Sequence, residues 1–394
     1  MKKSCIAGVG MVKFSKPGDN EPYRVMAAKA IKNALTDAGL DYRLVQQAYG
    51  SYVYGDSCSA QHALYAVGMT GIPVINVNNN CSSGSSALFL ANQAVASGAV
   101  DCALAFGFEE MKKGALGSQW DDRESPFDPL LCRLSEVSNA PEAPLALRCF
   151  GQAGTAYIEK TGSNPEIFAR VAVKTRSHAI KNPYSIFNEP LTVAEVMNAP
   201  QIFPPHLTRL MACPPSCGAA AVIVCNEKFA RQHGLSASVE IVGQAMVTDL
   251  ENSWTNPIDL VGAKMTAKAS AEVYEQAGLG PEDVHVVELH DCFTPNEVIT
   301  YEGLGLCAEG DAERFILDGD NTYGGKYVVN PSGGLMSKGH PLGATGLAQC
   351  TELVWQLRGQ GEARQVSGAS VALQHNLGLG GAAVVTMYQS RKPH

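Results

Sequence analysis

The stretch that decides the fold is Ile72-Pro-Val-Ile-Asn-Val-Asn-Asn-Asn-Cys81-Ser-Ser-Gly-Ser-Ser-Ala-Leu88. Its first six residues read as a short buried strand, and residues 85–96, which are small and apolar, read as a helix. Cys81 is therefore predicted at a strand-to-helix turn, where backbone N–H groups and the helix dipole favour the thiolate form of a cysteine. The alternative for Cys81 is a structural role, because the chain has 12 cysteines and a free cysteine commonly packs as a small apolar residue.

The surrounding segment is unusual in its lack of charge. No Asp, Glu, Lys or Arg occurs from Ser57 to Val100. Such a segment is expected to be buried on nearly every side or pressed against another subunit. Because it includes Cys81, we predict a subunit interface beside the reactive cysteine, in a homodimer or a homotetramer. Its many Asn, Gln and Ser residues argue against a membrane span.

Composition narrows the class of protein. The 394 residues suffice for two or three domain-sized units, and only 17% are charged, as in chains with much close-packed interior. The formal net charge of -8 argues against nucleic acid as the main partner. The N-terminus runs straight into a predicted strand without the apolar region of a signal peptide. Reduced cysteines in the cytoplasm are therefore expected, with a peroxisome or a mitochondrion as alternatives.

Metal and nucleotide signatures are weak. Cys213-Pro-Pro-Ser-Cys217 has no second pair of ligands at zinc spacing. The glycine-rich loops follow neither the dinucleotide nor the Walker pattern. We therefore expect no metal and no permanently bound cofactor.

The chain contains an internal repeat. Residues 27–40 align with residues 267–279, and both are predicted as amphipathic helices that end at a glycine. A strand is predicted after each of them, at 47–54 and 285–289. Further along, Cys81-Ser-Ser-Gly corresponds to His340-Pro-Leu-Gly, and residues 218–224 match residues 381–387 as closing strands. Two copies of one α/β unit would place Cys81 and His340 near a shared pseudo-two-fold axis.

A segment of different amino-acid composition separates the two copies. Residues 114–212 are richer in Pro, Asp, Arg and aromatics, and one helix is predicted within them, at about 164–182. Such an insertion at the rim of an α/β core commonly covers a substrate. The predicted organisation is an N-terminal half in two parts, 1–113 and 213–235, a loop domain inserted at 114–212, and a C-terminal half at 236–394.

Three motifs in the second half carry reactive side chains. His290 and Cys292 follow the apolar run that ends at Leu289, which places them at a strand end. A glycine-rich loop delivers His340 to a helix start, with Pro341 suited to the first helical turn. The turn His375-Asn-Leu-Gly-Leu-Gly-Gly can present backbone N–H groups towards an oxyanion. Each motif alone also has a structural explanation, and the structural explanation is retained for His178, His206 and His233.

Taken together, the motifs resemble one family. The set Asn-Asn-Asn-Cys81-Ser-Ser-Gly, His290-Asp-Cys292-Phe, Gly-His340-Pro-Leu-Gly-Ala-Thr-Gly and His375-Asn-Leu-Gly-Leu-Gly-Gly resembles the thiolase superfamily. More narrowly, it resembles the thiolase domain of sterol carrier protein 2, the SCP2-thiolase type. The likeness spans essentially the whole chain. Classical thiolases carry an acid/base cysteine in the last turn, where this chain has His375, and the resemblance assigns that role to Cys292.

The resemblance implies an α/β thiolase fold, in which two βαβαβαββ halves form a five-layered αβαβα core with an inserted loop domain. It implies Cys81 as the nucleophile, His340 as its base and Cys292 as the acid and base for the enolate and for coenzyme A. His290 and His340 are expected to hold the thioester oxygen, and N–H groups of Cys81 and of the turn near Leu377 the other oxyanion. The resemblance also implies that His375, Leu377 and Gly378 contribute to the oxyanion site or support it from behind, with His375 as a supporting group.

The expected activity is CoA-dependent cleavage of a 3-ketoacyl-CoA to acyl-CoA and acetyl- or propionyl-CoA, with coenzyme A as co-substrate, in the degradation of lipids with branched or sterol side chains. Two alternatives stay open: a condensing acyltransferase, and a non-catalytic member that pairs with a small acyl-binding protein. No sterol-carrier domain is seen after the thiolase region, and the last residues lack an S-K-L-type signal. Substrate-binding residues are not identified; basic candidates for the CoA phosphates are Lys112, Lys113, Arg148, Arg209 and Lys338.

Overall fold

A computed structural model of the chain describes residues 3–114, 117 and 119–391. Three residues of the predicted insertion, 115, 116 and 118, lie outside the described residues. The last three residues, on which the expectation about an S-K-L-type signal rests, also lie outside them. The strands are β1 Ser4–Met11, β2 Gln47–Ser51, β3 Val74–Val77, β4 Cys102–Glu109, β5 Gln201–Phe203, β6 Leu207–Thr208, β7 Gly218–Asn226, β8 Val239–Val247, β9 Val286–Glu288, β10 Val328–Val329, β11 Val371–Gly378 and β12 Ala382–Ser390.

The helices alternate with these strands in both halves. They are α1 Tyr23–Ala38, α2 Ser59–Tyr65, α3 Ser83–Ser97, α4 Asp128–Val137, α5 Leu145–Thr161, α6 Glu166–Ala179, α7 Val193–Met197, α8 Glu227–His233, α9 Pro257–Leu260, α10 Ala263–Ala277, α11 Thr294–Gly303, α12 Ala312–Leu317 and α13 Leu342–Arg358. None of the helices in the described part of the chain combines the length and apolar character needed to cross a membrane.

The strand order confirms the internal repeat. Ten strands of the described chain pair in the order β10-β9-β11-β12-β8-β1-β7-β4-β2-β3. Within each half the order is the same: third, second, fourth, fifth and first strand of that half. The second, third and fourth strands of a half are parallel, and the fifth is antiparallel to its neighbours. The halves join edge to edge where β1 pairs antiparallel with β8, so the pseudo-two-fold axis passes between these strands.

The side chains of each strand alternate between two cores. Along β7, Ala221 and Ile223 pack with α1 on the outer face, whereas Ala220, Val222 and Val224 pack on the inner face. The inner core contains α3 and α13 together with strands from both halves. A third core joins the outer face of the second half to α10, α11 and the insertion. Helix, sheet, paired helices, sheet and helix thus form the five layers that the resemblance implies.

The boundaries of the elements differ slightly from those predicted. The strand before Cys81 begins at Val74 rather than Ile72, and the helix after it begins at Ser83 rather than Ser85. The predicted helix at 164–182 is α6, which runs from Glu166 to Ala179. Within the predicted insertion the described residues form α4 to α7 and the small β5–β6 hairpin. The proposed division into four segments stays a prediction.

The two inner helices cross at their first turns. A Cβ on Gly84 in α3 would lie 2.9 Å from the carbonyl oxygen of Gly343 in α13. A Cβ on Gly107 in β4 would lie 2.0 Å from the same oxygen. Only glycine at these positions permits such close approach of backbone to backbone. The crossing places Cys81, just before α3, beside His340, just before α13.

Candidate active site

Cys81 lies at the turn between β3 and α3, as predicted. Its Sγ lies 3.6 Å from Oδ1 of Asn80, whose φ of 52° forms the sharp turn. Burial, with a smaller contribution from the negative charge of Glu109, raises the pKa of the Cys81 thiol to about 12. The backbone N–H groups of Cys81 and Leu379 lower the pKa, but they do not outweigh burial. The expectation of a thiolate favoured by the helix N-terminus is therefore wrong for the free protein, in which Cys81 is a neutral thiol.

His340 presents an unprotonated nitrogen to the site. Its Nδ1 lies 2.7 Å from Oγ1 of Thr345, and that hydroxyl donates its own hydrogen to the carbonyl oxygen of Pro341 at 3.0 Å. The hydroxyl oxygen is then the acceptor, so Nδ1 carries the proton of the ring. Burial lowers the pKa of His340 to about 3, so the ring is neutral. Its Nε2 is buried and has no hydrogen-bond partner within the described part of the chain, which leaves a free lone pair.

His290 has the opposite tautomer. Its Nδ1 lies 2.9 Å from Nδ2 of Asn376. In the structure Ser85 donates to Oδ1 of Asn376 at 3.0 Å, and the NH₂ group of the amide faces His290. Nδ1 of His290 is therefore an acceptor, and Nε2 carries the proton. Burial holds the pKa of His290 well below its usual range, with smaller contributions from the neighbouring His340 and His375.

The three groups meet in one place. The rings of His290 and His340 are 5.0 Å apart between centroids, at an angle of 84°. One nitrogen of each ring and Sγ of Cys81 lie within 4.8 Å of one another. The cluster thus combines a nucleophilic thiol, a basic nitrogen and an N–H donor, which are the groups needed to form and stabilise a covalent adduct at a carbonyl carbon.

The same three side chains could be considered as metal ligands because of their spacing. The hydrogen bond from Asn376 opposes this, since it leaves His290 with a proton on the nitrogen that faces the site. A protonated nitrogen donates a hydrogen bond and offers no lone pair to a metal. We therefore keep the expectation that this cluster works without a metal.

Cys292 lies next to this cluster and is only 4% exposed. Burial holds the pKa of its thiol well above its usual range, with smaller contributions from Cys213 and Cys81. The backbone N–H of Cys213 donates to the carbonyl oxygen of Cys292 at 2.9 Å, in a short antiparallel bridge. Cys292 is therefore a neutral thiol able to donate a proton, and Cys213 is a third cysteine at the site that sequence analysis did not identify.

The last turn contributes His375 as a supporting group, and Leu379 in place of Leu377 and Gly378. His375 accepts the backbone N–H of His290 at 3.5 Å, and its Nε2 bonds to Oγ1 of Thr266 at 3.0 Å, so it supports His290 from behind. Leu377 and Gly378 belong to β11 and pair with β12. The N–H of this turn that acts on the sulfur of Cys81 is that of Leu379.

Two loops of the second half are fixed to each other beneath the site. Asp291 accepts the backbone N–H groups of Leu335, at 2.7 Å, and Met336, at 3.4 Å. These residues belong to a π-helical turn at Gly334–Lys338, directly before His340. A Cβ on Gly334 would lie 2.2 Å from Oδ2 of Asp291, so glycine permits the contact. Asp291 thus ties the His290 loop to the loop before His340, together with the hydrogen bond from the backbone N–H of Leu289 to Asn330.

For two of the five basic residues suggested as ligands of the CoA phosphates, the prediction is wrong. Lys338 is 1% exposed, and its Nζ lies 2.9 Å from Oγ of Ser332 and 3.4 Å from Oε2 of Glu288. Arg148 is 8% exposed and bonds to Ser135 within the insertion. Their charges are used within the fold because a buried cation requires a partner. The other three are exposed: Lys112, Lys113 and Arg209.

Sequence analysis missed the residues that set the two tautomers. Thr345 is part of the His340 motif, five residues after the histidine, and a hydroxyl at that position could have been recognised as a partner for Nδ1. Asn376 stands next to His375 in the sequence, but its side chain reaches His290 only because β9 and β11 are adjacent in the sheet. No local sequence pattern predicts that contact.

Two protein-family models match most of the chain. A model described as "Thiolase, N-terminal domain" matches residues 6–198, and one described as "Thiolase C-terminal domain-like" matches residues 249–390. Sterol carrier protein 2 of Rattus norvegicus is 51% identical over 394 residues, which cover 98% of this chain and 72% of that protein.

Solved structures show the same architecture. One described as "Ltp2-ChsH2(DUF35) aldolase" superposes with a TM-score of 0.84 at 25% identity, covering 99% of this chain and 98% of that chain. Human mitochondrial 3-ketoacyl-CoA thiolase in complex with CoA superposes with a TM-score of 0.74 at 18% identity, covering 99% and 98% of the two chains, and shows the fold alone.

The tautomers can be tested by nitrogen NMR of the histidine rings, assigned with His290→Gln and His340→Gln variants. We expect the proton of His340 on Nδ1 and that of His290 on Nε2. Because burial lowers the pKa of His340 to about 3, its signals should not shift between pH 5 and pH 9. A His340 signal that titrates with a midpoint near 6.5, or a proton on its Nε2, would contradict the assignment.

Proposed function

Because the chain belongs to the thiolase family and is therefore an acyltransferase that acts on acyl-CoA, we propose that it cleaves 3-ketoacyl-CoA by transfer of the acyl group through Cys81 to coenzyme A. The observation that carries this proposal is that Sγ of Cys81 lies within 4.8 Å of a ring nitrogen of His340, whose Nε2 keeps a free lone pair, and that a second neutral thiol, Cys292, is close enough to interact with Cys81.

The first step uses the neutral thiol and the neutral base together. Cys81 attacks the 3-keto carbon while its proton passes to Nε2 of His340. The high pKa of the thiol and the low pKa of the imidazole disfavour a separated thiolate and imidazolium before the substrate is bound. Proton transfer therefore accompanies formation of the carbon–sulfur bond. The N–H groups of Cys81 and Leu379 face the sulfur and are suited to hold the oxygen of the adduct.

The second step breaks the bond between C2 and C3. The electron pair moves to the enolate of the departing acetyl- or propionyl-CoA, whose thioester oxygen can accept hydrogen bonds from Nε2–H of His290 and from the proton newly placed on His340. Cys292 gives its proton to the C2 carbon. A second thiol acid has no role in simple acyl transfer between heteroatoms, whereas breaking a carbon–carbon bond requires a donor for the carbanion. This need favours a ketoacyl substrate.

The final step transfers the acyl group to coenzyme A, which acts as co-substrate. The Cys292 thiolate takes the proton of the CoA thiol, and the CoA sulfur attacks the acyl-Cys81 thioester. Cys81 departs and recovers its proton from His340, which restores the starting state. No permanently bound cofactor enters this sequence. Run in reverse, the same groups perform a Claisen condensation, so the direction depends on the concentrations of the reactants.

The proposal is tested by CoA-dependent cleavage of 3-ketoacyl-CoA thioesters of graded chain length. Wild type should cleave them, and Cys81→Ala and Cys292→Ala should each lower kcat by about 100-fold or more, because one removes the nucleophile and the other the acid. Cys307→Ala, which changes a cysteine outside the site, is the matched control and should retain activity. The profile of kcat/KM against length would also identify the preferred acyl chain.

Two results would count against thiolysis. If wild type only condenses acyl-CoA and never cleaves, the Claisen role is the better one. If it does neither, the non-catalytic role becomes the better one, and co-purification with a small acyl-binding protein should then be sought, as the partner named in the Ltp2-ChsH2(DUF35) structure suggests.

We also propose that two copies of the chain form a dimer through β3. This strand ends the ten-stranded sheet, and its outer edge pairs with no other described strand. It lies in the uncharged segment, with Tyr65 52% exposed and Met69 78% exposed nearby. An apolar edge of this kind invites pairing with another strand. Antiparallel pairing of β3 with its own copy would satisfy two-fold symmetry and continue the sheet across the interface.

The dimer is tested by molar mass in solution. Wild type should sediment at twice the 41.7 kDa of one chain or at a multiple of that value. Met69→Glu should weaken the dimer by about tenfold or more, since it buries a charge in the contact. Leu317→Glu is the matched control, because Leu317 is also apolar and 55% exposed but lies on α12. A monomeric wild type at micromolar concentration, or equal weakening by both variants, would refute this interface.

A further inference from the structure

We propose that Glu109 is a positioning residue: its carboxyl group holds the first turn of α13, and with it His340, against the first turn of α3 beside Cys81. The effect of Glu109 on catalysis rests on the proposed function. Its effect on the rate at which Cys81 is alkylated does not. None of the motifs used to assign the site includes Glu109.

The contacts of Glu109 are unusual for a buried acid. It is the last residue of β4 and is 1% exposed. Oε2 accepts the backbone N–H groups of Val53, at 3.0 Å, and Gly343, at 3.1 Å, and Oε1 accepts that of Tyr54 at 3.1 Å. No Lys or Arg in the described part of the chain pairs with it. Burial raises the pKa of Glu109 to about 7, opposed by these three N–H groups.

The bond to Gly343 explains why a carboxylate is buried here. Gly343 is the second residue of α13, so its N–H is one of those that the helix cannot satisfy internally. A negative group at this end also interacts favourably with the helix dipole. The carboxylate thus stabilises the end of the helix that begins two residues after His340.

The same glycine is the crossing point of the fold. A Cβ on Gly343 would lie 2.4 Å from the carbonyl oxygen of Phe108 and 2.6 Å from that of Ser51. Ser51 also donates from Oγ to the carbonyl oxygen of Gly343 at 2.7 Å. Since Gly84 of α3 rests on this peptide as well, any shift of Gly343 changes the distance between Cys81 and His340.

Glu109 can affect the reactivity of Cys81 through its charge and through the position of His340. These two effects have opposite signs, so an experiment can distinguish them. As a charge, Glu109 raises the pKa of the Cys81 thiol, so its neutralisation alone would make Cys81 more reactive. As a positioning group, it keeps the base beside the thiol, so its removal would make Cys81 less reactive. Glutamine has one oxygen acceptor in place of two, so at least one of the three N–H groups would lose its partner. It is also neutral, so a bond to Gly343 that its oxygen keeps lacks the charge that strengthens the bond in the wild type.

The experiment measures the rate at which iodoacetamide alkylates Cys81, followed by mass spectrometry of the peptide that carries it. We expect Glu109→Gln to slow alkylation about tenfold or more, towards the rate of His340→Asn, which lacks the base. Glu110→Gln is the matched control: Glu110 is the adjacent, exposed glutamate, and it accepts the N–H of Tyr23 at 2.9 Å. It should alkylate at the wild-type rate.

An unchanged or faster rate in folded Glu109→Gln would overturn the proposal, because Glu109 would then act only as a charge or as a structural tie. Circular dichroism and the thermal midpoint establish that the variant is folded. The assay needs no thioester, so the result stands even if wild type fails to cleave 3-ketoacyl-CoA, and the two failures remain distinguishable.

If Glu109→Gln does not fold, the pH dependence of Cys81 alkylation in the wild type tests the proposal instead. Protonation of Glu109 as the pH falls through about 7 weakens its hold on Gly343, so the logarithm of the alkylation rate should bend downwards near that pH. The titratable groups on which its charge acts are Cys81, Tyr54 and Cys217, and burial raises the pKa of each, so all three stay neutral there. Burial lowers the pKa of His340 to about 3. Burial also raises the pKa of Asp291, which ties the loop before His340, to about 8, so the measurement is repeated in Asp291→Asn. A plot for that variant without a bend between pH 5.5 and pH 8.5 would overturn the proposal.

Discussion

The close crossing of α3 and α13 is the constraint on which the rest of the structure depends. The two helices come from different halves of the chain and meet backbone to backbone at Gly84 and Gly343, with Gly107 of β4 against the same peptide. Any side chain at these positions would force the helices apart. The contact brings one reactive residue from each half to the same point, which a repeated α/β unit can do only where its two copies meet.

Burial then decides the protonation state of every group at that point. It raises the pKa of Cys81 and Cys292 and lowers that of His290 and His340, so the free protein holds four neutral groups. Hydrogen bonds then determine whether each histidine acts as a donor or as an acceptor towards the site. Thr345 makes His340 an acceptor towards the site, and Asn376 makes His290 a donor. Two histidines of equal burial thereby take complementary roles.

Much of this could be predicted from sequence because the determining signals are local or repeated. The alternation of strands and glycine-terminated helices, and the match between the Cys81 and His340 motifs, were enough to predict the two halves and the proximity of the two residues. What could not be predicted depends on contacts between distant segments. The bond between Asn376 and His290 joins neighbouring strands, and the bonds from Glu109 join β4 to α13. The thiolate expected at Cys81 failed for a related reason: the sequence indicates a helix N-terminus, but not how thoroughly other segments bury the sulfur.

The account centres on Cys81 as a nucleophile that depends on His340, and the most direct test is the mass of the Cys81 peptide after wild type is mixed with a 3-ketoacyl-CoA without free coenzyme A. The account predicts one acyl group on Cys81, formed in the same reaction that releases acetyl- or propionyl-CoA, and its near absence in His340→Asn. An acyl group on a different cysteine, or none on Cys81 although the substrate is consumed, would contradict it.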